Sequence, residues 1–164
     1  MIEDYNWMMR WFNMCDLVAT WSKDRSRQVG AVIVDDRQTL VSMGWNGFPR
    51  GGNDLVEERH DRPAKYLWTE HAERNAIYNA ASNGVKTAGC TMYIKWYPCA
   101  DCARAIIQSG IKKLICTEPD WDDETYGADF KVSREMFSEC HSIEVDIVCN
   151  VGENKKRNNA KNTK

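Results

Sequence analysis

A chain of 164 residues, 43% hydrophobic and 28% charged, suits one globular domain with a proper core and excludes a disordered or fibrous protein. A formal charge of −2 gives no general reason to expect a nucleic-acid or membrane partner, and no apolar run approaches membrane-spanning length. The seven cysteines are an odd number with only one close pair, and Met1-Ile2-Glu3-Asp4 lacks the basic start of a secretory signal, so a reducing, cytoplasmic setting is expected rather than a disulfide framework.

Residues 3–22 read as an amphipathic helix. Trp7, Trp11, Cys15 and Val18 share one face, with Met8, Phe12 and Ala19 beside them. So wide an aromatic face has to be buried, against a core or a second subunit. The polar run Ser22-Lys23-Asp24-Arg25-Ser26-Arg27 leads into an apolar strand at residues 29–34, which puts Arg27 at a strand mouth. A turn at 35–38 and a second strand at 39–45 complete a hairpin. Asn46-Gly47-Phe48-Pro49-Arg50-Gly51-Gly52-Asn53-Asp54 is dense in turn formers, and its glycines let the backbone approach a ligand. Residues 55–68 read as irregular, with Pro63 barring a helix.

Thr69-Glu70-His71 opens a helix to about residue 82, where Asn83-Gly84 stops it. A third strand follows at 91–95, then a turn at Pro98 and a helix at 100–109 ended by Gly110. A fourth strand at 112–117, a loop at 118–130, a helix at 132–140 and a fifth strand at 142–148 complete the pattern. Helix, hairpin, then alternating strands and helices predict an α/β layered domain with a mixed sheet over residues 1–149. The Asn- and Lys-rich tail of residues 150–164 is expected to be disordered.

Two stretches carry chemistry: His71-Ala72-Glu73 and Pro98-Cys99-Ala100-Asp101-Cys102. His71, Cys99 and Cys102 fall at predicted helix starts, where a thiolate is favoured. One imidazole and two thiolates supply three ligands for Zn2+ and leave one tetrahedral position open for water. Zinc lowers the pKa of such a water to about 7, giving hydroxide near neutrality. Glu73, two residues from His71, is a carboxylate beside the metal that is not needed as a ligand, which suits a proton shuttle. A structural zinc ribbon is the competing reading, but it needs a fourth protein ligand, and the chain has no second CxxC and no HxxxH. His60 and His141 are isolated and read as surface residues, while Cys90, Cys116 and Cys149 lie in or beside strands, where free cysteine is commonly buried. A redox CxxC is the third reading; it leaves His71 and Glu73 without a role.

HxE followed by PCxxC is the signature of the zinc nucleobase deaminases, and both halves are present here. The chain resembles the zinc-dependent cytidine/deoxycytidylate deaminase superfamily over residues 5–148. Within it, the deoxycytidylate (dCMP) deaminases are most similar. Ser22-Lys23-Asp24 ahead of Val29-Gly30-Ala31, Gly44-Trp45-Asn46-Gly47-Phe48-Pro49-Arg50-Gly51 and His71-Ala72-Glu73-Arg74-Asn75-Ala76-Ile77 carry that likeness, with Gln108-Ser109-Gly110-Ile111-Lys112 adding to it. The resemblance implies a three-layer α/β/α cytidine-deaminase-like fold, a five-stranded mixed sheet with helices on both faces. It implies hydrolysis of dCMP to dUMP and ammonia, a supply step for thymidylate synthesis, in which zinc-bound hydroxide attacks C4 of cytosine and Glu73 moves the protons. The Ala72 N–H would hold the base carbonyl, the Pro98 carbonyl the leaving amine, and Asn46 the sugar hydroxyl. Arg27 is the first choice for the 5′-phosphate and Lys23 the second, and Tyr126 would close over the nucleotide.

Relatives of this kind are commonly hexamers, activated by dCTP with Mg2+ and inhibited by dTTP. The likeness therefore makes Gly51-Gly52-Asn53-Asp54, with Arg50 beside it, the regulatory phosphate cradle. Some viral relatives hold a second, structural zinc, for which Cys15 and His60 are the sole candidates here. Other readings stay open: a cytidine, tRNA adenosine or pterin-type deaminase, or a non-catalytic deoxynucleotide sensor. A tRNA enzyme would want a basic face, and a sensor has no use for Glu73.

Overall fold

In the computed structural model, which describes residues 2–149, every residue of strand β1 (Gly30–Val34) is buried. Strand alternation sends Ala31 and Ile33 to one face and Val32 and Val34 to the other, and each pair enters a different hydrophobic cluster. A strand covered on both faces reads as an apolar run, as this one does.

Helix α1 (Ile2–Ala19) covers one face, packing Phe12, Cys15 and Val18 against Val32, Val34, Tyr93 and Ile115. The other face is covered by α3 (Ala72–Ser82), α4 (Ala100–Gln108) and α5 (Gly127–Glu139). Strands β2 (Leu40–Trp45), β3 (Thr91–Ile94), β4 (Lys113–Thr117) and β5 (Glu144–Val148) complete a sheet of order β2-β1-β3-β4-β5. β1 pairs antiparallel with β2 and β3; β3, β4 and β5 run parallel. This is the expected five-stranded mixed sheet with helices on both faces. No described helix is long and apolar enough to cross a membrane.

Five expectations need correction. α1 ends at Ala19, because the amides of Thr20, Trp21 and Ser22 fold back on carbonyls three residues earlier and tighten the last turn. Trp7 is 36% exposed; it stacks on Trp11 under Arg10 instead of joining the core. The last helix begins at Gly127, not 132, because Asp123 Oδ1 accepts the amides of Thr125 and Tyr126 and starts the turn early. Residues 55–68 hold a 3-10 turn at Glu57–Arg59 and the short helix α2 (Lys65–Trp68). Pro63 precedes α2, where its missing N–H costs little, so it starts the turn rather than barring it. Cys90 and Cys116 are buried as expected, but Cys149 is exposed beyond β5. The predicted disordered tail, residues 150–164, lies outside the described residues.

Gly44 is where α3 meets the sheet. A Cβ there would stand 2.2 Å from the Ala76 nitrogen and 2.5 Å from the Ala72 carbonyl oxygen, both backbone atoms that cannot swing aside. Gly44→Ala is therefore expected to destabilise the fold by about 1–3 kcal/mol, as overpacking does. Because α3 carries the site described next, turnover should fall with it. Thermal melting and a rate measurement on the same sample check this, and an unchanged melting point would mean that α3 is not seated as described.

Candidate active site

Three hydrogen bonds hold α3 in place. Ser42 Oγ donates to the Ala76 carbonyl at 2.7 Å, Asn75 Nδ2 to the Trp45 carbonyl at 2.8 Å and Asn79 Nδ2 to the Met43 carbonyl at 2.7 Å, which locks the helix onto β2. Just before it, Glu70 and Gly47 exchange backbone hydrogen bonds of 2.8 and 3.0 Å. That bridge ties the HxE segment to the loop after β2. His71 is extended (φ −82°, ψ 155°) and caps α3; Cys99, equally extended (φ −70°, ψ 171°), caps α4. Two helix N-termini thus meet, with Arg74 of α3 bridging to Asp101 of α4 at 3.3 Å.

His71 Nδ1 lies 3.5 Å from both Cys99 Sγ and Cys102 Sγ. All three ligand atoms fall within 4.8 Å of one another, and both cysteines are buried. Among the described residues this is the one cluster of His, Cys, Asp and Glu donors that converges. Cys15 instead packs in the α1 cluster and bonds the Tyr93 carbonyl, while His60 bonds the Asp54 carbonyl and stacks on Phe48. His141 is exposed.

The electrostatics of the cluster suit a cation. The Cys99 thiol is held down to about 4, chiefly by a hydrogen bond from Cys102 and, against the opposing effect of burial, by His71. The same sharing pushes Cys102 well up. His71 is raised to about 9 by its hydrogen bond to Cys99. The group therefore holds one negative charge that two neighbours donate to, at the positive ends of two helices. Imidazole plus two thiolates is a zinc donor set, so the residues present fit the ion expected from the sequence. Glu73 is not one of the three converging donors. It is 3% exposed, and burial raises its carboxyl above the usual range against the opposing pull of His71.

A pocket opens over this floor. His71, Ala72, Glu73, Cys99 and Asn46 line it, as do Arg27, Tyr126 and Trp96. Ala72 is the first residue of α3, so its N–H has no acceptor within the helix. Pro98 is buried just before the Cys99 cap. Asn46 Oδ1 accepts the Val29 amide at 2.8 Å and Nδ2 donates to the Arg27 carbonyl at 2.9 Å; one N–H and one lone pair remain beyond these bonds. The Arg27 guanidinium lies 3.8 Å over the Trp96 ring. The Tyr126 ring meets His71 edge-on at 6.4 Å, and burial pushes its hydroxyl up to about 12.

Among the pocket residues that escaped the sequence reading are Asp24, Arg62, Lys65 and Tyr66. The last three sit in the segment read as irregular, and only the mispredicted α2 turn brings them to the site. Lys23, by contrast, is absent from this wall. It pairs with Asp54 in a neighbouring pocket lined also by Arg25, Arg50, Gly51, Gly52 and His60. There Gly51 takes φ +78° at the third position of a turn closed by Gly52 N–H on the Pro49 carbonyl at 2.9 Å. Asn53 turns away, its side chain accepting the Leu55 amide at 3.0 Å.

Residues 5–118 match the profile of the cytidine and deoxycytidylate deaminase zinc-binding region. An uncharacterized deaminase in the luxG 3′ region of Aliivibrio fischeri is 43% identical over 134 residues, covering 81% of this chain and 88% of that protein. The deoxycytidylate deaminase of Homo sapiens is 40% identical over 129 residues, covering 74% and 70% respectively. A crystal structure of dCMP deaminase from the cyanophage S-TIM5, in complex with dCMP and dUMP, has a TM-score of 0.66 at 23% identity, covering 90% of this chain and 96% of that one; the likeness is one of fold. With the zinc donor set assembled by the matched residues, the chain belongs to the cytidine and deoxycytidylate deaminase zinc-binding family.

Proposed function

We propose that this chain hydrolyses dCMP to dUMP and ammonia. The observation that carries the reading is that one pocket is lined both by the zinc donors His71 and Cys99 with the buried Glu73 and by two arginines, Arg27 and Arg62. A cytosine ring needs the first group and a 5′-phosphate the second. The deoxycytidylate deaminase relatives and the substrate and product in the S-TIM5 structure support the same choice.

His71, Cys99 and Cys102 would hold zinc, which when bound supplies the Lewis acidity that makes water nucleophilic near neutrality. Glu73 then takes one proton from the attacking water on its carboxylate and passes it to ring N3; it takes the second from the hydroxyl added at C4 and hands it to the amine, so that ammonia leaves as the C4 carbonyl forms. Its buried, raised carboxyl is suited to exchange protons in both directions. The Ala72 N–H receives the base carbonyl and the Pro98 carbonyl the amine. Asn46 offers its remaining N–H or lone pair to the sugar hydroxyl. Tyr126 covers the base beside His71, and Arg27 with Arg62 takes the phosphate.

Ammonia release from dCMP, deoxycytidine, dCTP, cytidine and a tRNA anticodon loop tests this. dCMP should react with the highest kcat/KM by at least about tenfold, the scale of one lost charge-assisted contact. Reaction of the RNA alone would overturn the nucleotide reading.

A second reading concerns regulation by dCTP with Mg2+ and by dTTP. Lys23, Arg25 and Arg50 would give the neighbouring pocket an anion-binding character, although Asp54 already pairs with Lys23 and Glu57 with Arg25. In the same assay, dCTP with magnesium should lower the dCMP concentration needed for half-maximal rate, and an unchanged saturation curve removes this reading. The unusually exposed Leu55 and Leu67, at 82% and 90%, favour a homo-oligomer, the expected hexamer included. The free cysteines and the free-nucleotide substrate favour a cytoplasmic setting.

A further inference from the structure

Between the two pockets stands a buried ion pair that the chemistry above does not use. The side chains of Lys65 and Asp24 are 10% and 7% exposed, and both residues line both pockets. Lys65 Nζ donates to Asp24 Oδ1 at 2.9 Å and Oδ2 at 2.8 Å. Oδ1 also accepts the amides of Ser26 at 2.8 Å and Arg27 at 3.0 Å. The Arg27 carbonyl is meanwhile held by Asn46. Both ends of the Arg27 peptide backbone are thus fixed, one of them by Asp24.

We infer that Asp24 is a positioning residue that aims the Arg27 guanidinium at the phosphate, with Lys65 as its anchor, and so sets the preference for nucleotide over nucleoside. The inference rests on the proposed phosphate role of Arg27.

Stability is a poor explanation for the pair. Desolvating two charges offsets most of their attraction, and an apolar pair of similar volume commonly serves as well. What an apolar pair cannot supply is an acceptor for the Arg27 amide. Lys65 also opens α2, one residue before Tyr66 and three after Arg62, both on the same pocket wall. The pair therefore ties the Arg27 loop to the segment bearing the second guanidinium. Asp24 is held below the usual carboxylate range: burial works against this, and Lys65 with the Arg27 and Ser26 amides overcomes it. It stays a charged acceptor throughout the working pH range.

Two double variants separate positioning from mere folding. Asp24→Ala/Lys65→Met and Asp24→Asn/Lys65→Met both delete the buried charges, but only the second keeps a side-chain oxygen for the Arg27 amide. For the first, kcat/KM for dCMP should fall by about 10- to 100-fold, mostly through KM, and the deoxycytidine value by much less, with zinc content unchanged. The second should retain the nucleotide preference. If the alanine pair fails to fold, Asp24→Leu/Lys65→Met fills the volume without an acceptor and carries the same expectation. An equal loss for both substrates, or equal behaviour of acceptor-bearing and acceptor-free variants, overturns the inference. Arg27→Gln is the control. If it lowers the dCMP preference while the Asp24 variants do not, the positioning role alone fails. If it leaves the preference intact, the phosphate role of Arg27 fails and takes the positioning role with it.

Discussion

Glu73→Gln should keep its fold and its zinc yet turn dCMP over about 10²- to 10⁴-fold more slowly, the scale of one general acid–base group. The substitution preserves volume and planar shape at a position 3% exposed, so the packing of α3 has no reason to change. What it removes is a titratable oxygen. Burial already raises the Glu73 carboxyl, which means its proton sits closer in energy to the proton on a substrate ring nitrogen than an exposed carboxyl's would. An amide cannot accept that proton or return it. Steady-state rates, read beside the zinc content of the same sample, check this. Near-normal turnover in the zinc-loaded variant would remove Glu73 from the proton path.

Cys102→Ala should abolish turnover through loss of the metal. Cys102 is fully buried, and its deletion leaves His71 and Cys99 as the only protein donors of the cluster. A second expected result concerns pH. At neutrality His71, raised to about 9, and Cys102, pushed well up, both carry protons, whereas Cys99, near 4, does not. Loading a cation on the three donors must release the first two protons. Affinity for zinc should therefore rise with pH between about 6 and 8, by up to about 100-fold per unit for two protons released. Competition with a metal-sensitive dye across that range gives the slope. A flat profile would mean that the ion sits elsewhere.

Much of the site was legible because its chemistry is local. His71 and Glu73 lie in one helical turn, as do Cys99 and Cys102, so spacing alone relates each pair to its own helix start. What joins the halves is long-range: Gly44 letting α3 sit on β2, Asn75 and Asn79 reaching strand carbonyls, and Arg74 reaching Asp101. None of these leaves a periodic trace. The proposed phosphate end was half visible. Arg27 follows from its place at the start of an apolar strand, but Arg62, Lys65 and Tyr66 come from a stretch whose helical turn is too short for periodicity to reveal. The early start of α5 was hidden for a related reason. Asp123 reads as one acid in a polar loop, and only its bonds to two successive amides make it the origin of a helix. Lys23, the second choice for the phosphate, lines the other pocket, where it pairs with Asp54.

X-ray absorption at the zinc edge, on protein purified without added chelator, examines the whole reading at its root. Two sulfurs, one imidazole and one light-atom neighbour supplied by solvent are expected, from one zinc per chain. A shell closed by four side chains, or a chain that holds no zinc at all, would contradict it.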